Sequence, residues 1–215
     1  MSQMPLFRAL SVAIRADPAP DAELLRRFVE ANDRNAFELV VRRHAELVWN
    51  VCQAELRGDL HAAEDAFQAT FLALARTAGR LRDKSAAGWL FQVARNAAAR
   101  VRARAARQAS QLLPDTLAAV SESVEEQASQ REIAPLVAEE VSRLAAKFRD
   151  PVVLCFFEGH TQAEAAVRLG WPVGTVASRL ARAKNLLRKR LARRGVVLSA
   201  ASMAVLATSP AMATP

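Results

Sequence analysis

The chain has 215 residues, enough for one or two domains, and with 52% hydrophobic and 24% charged residues it can build buried cores. Only 6% of residues are aromatic, there is no Tyr, and 7 Gly stand against abundant Ala, Leu, Arg and Val, which predicts an all-α fold and excludes a β-sandwich or a Gly-rich nucleotide-binding sheet. The formal net charge of +8 points to a polyanionic partner, and the two distant cysteines, Cys52 and Cys155, exclude a disulfide framework and fit core positions in a reducing cytoplasm.

Residues 1–20 carry Pro5, Pro18 and Pro20 and are expected to be loosely ordered, with no signal-peptide cleavage pattern. Helical spacing of Leu24, Phe28, Phe37, Val40, His44, Val48 and Val51 predicts helix over residues 22–56, interrupted around 32–35. Gly58 and Asp59 break it. A second helix over about 60–75 places Ala63, Phe67, Phe71 and Leu74 on an apolar face, with Glu64, Asp65 and Gln68 off it. After a basic loop at 79–84, Ser85 is a predicted N-cap for a third helix through Trp89, Leu90, Val93, Ala97 and Val101.

Charge is laid out in blocks. Lys84, Arg95, Arg100, Arg102, Arg104 and Arg107 form a run without acids. Residues 109–130 hold Asp115, Glu122, Glu125 and Glu126 without a Lys or Arg, together with Pro114 and several Ser and Gln, and read as a flexible acidic linker. The chain thus divides into a segment at 1–20, a helical module at 21–108, the linker at 109–130, a second helical module at 131–195 and an apolar tail at 196–215. The tail's apolar stretch is shorter than the ~20 residues a spanning helix needs.

In the second module a helix through Val137, Val141, Leu144 and Phe148 is expected to stop before Pro151, and another to cover 152–157 up to Gly159. Thr161 and Glu164 have the spacing of a capping box, opening a short helix that Gly170 ends. Pro172 opens the last helix, with Val173, Val176, Leu180, Ala183, Leu187 and Leu191 as its apolar stripe. Its opposite face holds Gly174, Thr175, Ser178, Ala181, Arg182, Asn185 and Lys189. A short capped helix, a Gly turn and a longer basic helix make a helix-turn-helix, whose second helix enters the DNA major groove. Glycine-turned hairpins also occur in plain bundles. The acid-free run after Glu164, with its nine Lys and Arg, favours DNA.

Residues 159–191, GHTQAEAAVRLGWPVGTVASRLARAKNLLRKRL, resemble region 4.2 of the extracytoplasmic-function sigma factors of the sigma-70 family. AEDAFQATFLALAR at 63–76 resembles region 2.2, and GWLFQVARNAAARVRAR at 88–104 is similar to regions 2.3 and 2.4. The resemblance implies a protein without catalytic residues, cofactor, metal or small-molecule substrate. It implies one that binds core RNA polymerase in the cytoplasm, directs promoter recognition and initiates transcription, with an anti-sigma factor as a further partner. It puts polymerase binding on Glu64, Asp65, Gln68 and Phe71, with Phe71 equally a core residue. It puts −10 DNA on Val93, Asn96 and Ala97, with Arg95, Arg100, Arg102 and Arg104 at phosphates, and −35 DNA on Thr175, Ser178, Arg179, Arg182, Lys184 and Lys189. Ala69 and Ala177 depart from the family pattern, where Glu and a basic residue are frequent.

The alternative is a helix-turn-helix regulator that acts without joining polymerase. It accounts for 159–195 and leaves the helices at 60–76 and 88–104 without a role. An enzyme is disfavoured, because His44, His61, His160, Asp115 and Glu122 form no acid–base or metal pattern.

Overall fold

The computed structural model describes residues 19–81, 85–112 and 125–196, with side chains except at 109–112 and 125–132. The N-terminal segment up to residue 18, the loop at 82–84, the centre of the acidic linker and the tail from 197 lie outside the described residues. Among the described residues all regular structure is helical.

The first module holds α1 (Asp21–Ala31), α2 (Arg34–Glu55), α3 (Leu60–Thr77), a 3₁₀ turn (Ala78–Arg80) and α4 (Ala86–Leu112). The expected interruption falls between α1 and α2. Asn32 adopts the left-handed conformation at φ 51°, and the Asp33 carboxylate accepts the Ala36 N–H. Asp59 caps α3 in the same way, accepting from Ala62 N–H at 3.0 Å. α1, α2, α3 and α4 pack around Leu24, Leu25, Val40, Leu47, Val48, Leu74 and Leu90, all buried. α4 is longer than its apolar pattern predicts and runs into the segment read as linker, which α5 also enters from the other side.

The second module holds α5 (Glu125–Ser142), α6 (Ala146–Val152), a π turn (Val153–Phe157), α7 (Gln162–Leu169) and α8 (Val173–Ala192). The expected stop before Pro151 is not there. The chain breaks after Ser142 instead, and Pro151 lies inside α6. Proline has no N–H to continue the ladder, and the helix accommodates it by widening into the π turn that follows directly. The capping box forms: Glu164 N–H donates to Thr161 Oγ1 at 3.2 Å, and Thr161 N–H to Glu164 Oε2 at 2.8 Å. Gly170 follows at φ 64°, a conformation that costs a residue with a Cβ more.

α8 buries Val176, Leu180, Ala183, Leu187 and Leu191, whereas Val173 at the start of the expected stripe is half exposed. Burial of each large apolar side chain contributes about 1.5–3 kcal/mol, so the stripe fixes the rotation of α8 about its axis. That rotation sets which polar residues face outward.

Candidate nucleic-acid and polymerase interfaces

Three helices present the polar faces that carry the candidate residues. On α3, burial of Ala63, Ala66, Thr70, Phe71 and Leu74 leaves Glu64, Asp65 and Gln68 exposed on the other side. Leu72 is 58% exposed, one turn beyond Gln68, so an apolar side chain extends this acid–amide face. The sequence pattern did not single out Leu72, because a lone leucine off the core stripe is common on protein surfaces. Phe71 takes the core position that is its other reading. Its ring is buried, 5.0 Å from that of Phe67, which in turn lies 6.0 Å from Trp49. Phe71 orients α3 from beneath and does not form its outer face.

On α4 the helical period separates the candidates into two sets. Val93, Asn96, Ala97, Arg100 and Arg104 share one face, with Asn96, Arg100 and Arg104 exposed and Val93 and Ala97 half-buried. Arg95 and Arg102 lie on another. Arg95 Nε donates to Glu55 Oε1 at 2.5 Å and its Nη1 to Ser142 Oγ at 2.6 Å. Arg102 Nη1 donates to the Glu55 carbonyl at 3.0 Å and stands 3.6 Å from the Glu55 carboxylate. In this arrangement Arg95 is largely buried against the Glu55 carboxylate, whereas Arg102, although anchored to the Glu55 carbonyl, keeps an exposed side chain.

On α8, Thr175 is half-buried, while Ser178, Arg182 and Lys189 are exposed along the face opposite the stripe. Arg179 stacks its guanidinium 4.0 Å from the Trp171 ring centroid, an attraction that orders the cation beside the turn. Lys184, the other flanking cation, lies with Nζ 5.0 Å over the Phe156 ring. The last turn is also less cationic than its composition suggests. Arg194 donates to Glu139 at 2.8 Å and Glu140 at 3.2 Å, and Arg190 lies 3.7 Å from Glu140. Arg194 holds the Glu139 carboxyl below its usual range, against the opposing effect of desolvation.

Ser178, Arg179 and Arg182 line one wall of a depression of about 260 Å³, and Lys147 and Phe148 of α6 line the other. Lys147 is a residue the sequence pattern did not single out, since only the packing of α6 on α8 brings it beside Arg182. The depression presents three cations and a hydroxyl, a set suited to the phosphates and base edges of a duplex.

Residues 40–108 match the family description "Sigma-70 region 2" and residues 135–187 match "Sigma-70, region 4". The ECF RNA polymerase sigma factor SigM of Mycobacterium tuberculosis is 35% identical over 172 residues, covering 80% of this chain and 84% of SigM. The chain belongs to the ECF sigma factors of the sigma-70 family. The ECF sigma factor SigE of Mycolicibacterium smegmatis is 30% identical over 161 residues, 74% of this chain and 62% of SigE, so the chain spans under two thirds of that relative. Among solved structures, CnrH in complex with the cytosolic domain of CnrY matches with 24% identity and a TM-score of 0.38, over 82% of this chain and 99% of CnrH. As a sigma factor, the protein joins RNA polymerase and directs it to promoters. Its α3 and α4 fall in region 2, and α6 to α8 in region 4. No helix among the described residues is long and apolar enough to cross a membrane.

Proposed function

We propose that this sigma factor acts in the cytoplasm, without chemistry of its own, by dividing three tasks among three helices. α3 meets core polymerase through Glu64, Asp65, Gln68 and Leu72. α4 meets the −10 element through Asn96, flanked by Val93 and Ala97, with Arg100 and Arg104 on the adjacent phosphates. α8 reads the −35 duplex through Ser178 and Arg182, with Thr175, Arg179, Lys147 and Lys189 at the backbone. An anti-sigma factor is a further partner of this reading.

The observation that carries it is the exposure of Ser178 and Arg182 on the side of α8 opposite a fully packed apolar stripe. An arginine so placed can bridge guanine O6 and N7, and an amide such as Asn96 can pair with the edge of an unstacked base. Run-off transcription from a promoter library randomised at −10 and −35, with purified core polymerase, tests the assignment. The expected result is selective transcription that Asn96→Ala relaxes at −10 only and Ser178→Ala at −35 only. Transcription that does not depend on the added chain, or duplex binding that neither variant alters, would overturn it in favour of a regulator acting without polymerase.

A further inference from the structure

The turn between α7 and α8 carries a tryptophan, Trp171, to which neither the apolar stripe of α8 nor its polar face gives a role. The backbone fixes its place. Gly170 N–H donates to the Val167 carbonyl at 3.2 Å and Trp171 N–H to the Ala166 carbonyl at 3.0 Å, the two bonds of a Schellman motif. Pro172 follows at φ −60°, and its carbonyl accepts the first N–H groups of α8, from Thr175 at 2.9 Å and Val176 at 3.2 Å. The Trp171 ring is therefore held between the end of one helix and the start of the next, half-buried, and the Arg179 guanidinium lies over it.

Stacking engages the flat face of a guanidinium and leaves its in-plane N–H donors to other acceptors. Among the described residues no carboxylate takes those of Arg179, in contrast to Arg190 and Arg194 of the same helix, which Glu139 and Glu140 engage. One residue along a helix is a turn of about 100°, so Arg179 stands beside Ser178 and not on its line, on the flank of the reading face next to the turn. There it forms a wall of the depression of about 260 Å³, opposite Lys147, whose Nζ in turn lies 5.2 Å from the Phe148 ring.

We propose that Trp171 is a positioning residue for DNA binding: by stacking on Arg179 it aims the edge of that guanidinium, across the depression from Lys147, at one backbone phosphate of the duplex beside the bases that Arg182 reads. The geometry gives three reasons. A phosphate is held in the plane of a guanidinium by two parallel N–H donors, and a ring against the flat face leaves that plane open. A long side chain that the ring already restricts loses less freedom when it binds, so the contact is stronger at equal charge. The flank next to the turn is also where the first helix of a helix-turn-helix crosses the backbone, so the acceptor there is a phosphate and not a base edge. Trp171 brings no charge of its own. Its loss leaves the cation in place and loosens it. The inference rests on the reading of α8 as the −35 helix.

The experiment measures the affinity of the full chain, bound to core polymerase, for a promoter duplex, in a double-mutant cycle of Trp171→Leu and Arg179→Ala. Trp171→Leu keeps an apolar side chain in the turn and removes the ring. It is expected to weaken binding about threefold to fivefold, the worth of an exposed cation–π contact, by the same factor on every −35 sequence. In the chain that already carries Arg179→Ala it is expected to change nothing. Trp171→Phe, which keeps a ring, is expected to restore most of the binding. Trp171→Met, whose flexible side chain can refill the turn, is the second variant should the leucine chain not fold, and is expected to show the same coupling. Equal weakening with and without Arg179 would be a loosened turn and nothing more, and it overturns the inference. Wild-type affinity in Trp171→Leu overturns it as well. Arg182→Ala, measured beside them, separates the inference from the reading beneath it. If Arg182→Ala weakens binding and Trp171→Leu does not, the stacking role fails and the −35 reading stands. If neither Arg182→Ala nor Arg179→Ala changes the affinity, the −35 reading fails and the inference falls with it.

Discussion

α4 and α8 are the two strongly basic helices of this sigma factor, and their cations have different fates. On α8, Arg182 and Lys189 face outward because the apolar stripe turns them away from the module. On α4, Arg95 turns inward to Glu55 and Arg102, though exposed, is tethered to the Glu55 carbonyl, while Arg100 and Arg104 of the same acid-free run are exposed. A count of positive charges along a helix therefore does not give the charge it offers to DNA. What decides is whether a carboxylate of another element stands opposite, as Glu55 does for α4 and Glu139 and Glu140 do for the last turn of α8.

The largest effect that would break this comparison is expected at Arg182. If it reads a base, Arg182→Ala costs about 1–3 kcal/mol on the preferred −35 sequence and much less on a substituted one. Transcription across a randomised −35 library checks this. An equal loss on all sequences would make Arg182 one more phosphate contact and bring α8 closer to α4.

The polymerase face comes next. Leu72→Glu, or charge reversal of Glu64 and Asp65, should weaken core binding by about 1–2 kcal/mol, the range of an interface hot spot, with the circular dichroism unchanged. Phe71→Ala should differ. Loss of a buried aromatic costs about 3–5 kcal/mol of folding stability, and its melting temperature, not its intrinsic affinity, should fall. Unchanged polymerase binding by the surface variants would sink the assignment of α3.

Capping gives a smaller effect. Thr161→Ala removes one half of the capping box and is expected to lower the stability of the second module by about 1 kcal/mol, read from denaturant unfolding. No change would mean that packing of α7 on α8 alone sets the turn.

Much of this architecture was legible in the residues. The capping box at Thr161 is local, since a side-chain oxygen three residues before an N–H needs no tertiary information. The α8 stripe follows from its period. Other features depend on pairs far apart in the chain. Glu55 and Arg95 are forty residues apart and Arg95 and Ser142 forty-seven, and nothing in the spacing of either segment links them. Pro151 misleads for a different reason, because a helix can absorb a proline by widening its next turn, and the local rule sees only the missing N–H. Of the candidate site, Ser178, Arg182 and Asn96 were readable as outward polar residues, whereas Lys147 required the packing of α6 on α8.

Lys189→Ala sharpens the contrast from the other side. Lys189 is exposed two turns beyond Arg182, where a helix leaving the groove meets phosphate. It should weaken binding to all promoters alike and reduce the slope of log affinity against log salt by about one. A sequence-dependent loss would move base reading along the helix.

The smallest expected effect is none, and it concerns pH. The groups that face His44 are Asp21 from α1 and Glu158 from the π turn, with Arg43 next to Asp21 and His160 next to Glu158. For His44 the folded value lies above the unfolded one of about 6.5, so its contribution is complete below about pH 6.5 and is lost only as pH rises through the raised folded value. For Asp21 and Glu158 the folded values lie below the unfolded ones of about 4, so their contribution is complete above that and is lost as pH falls through the lowered values. Between the two limits the charges of these three groups do not change. The imidazole ring signals of His44 in an NMR titration should stay level from about pH 5.5 to about pH 8, since neither His44 nor its two carboxylates exchange a proton there. A step within that range would mean that His44 loses its proton on the way, and that one of the two carboxylates is not bonded to it in solution.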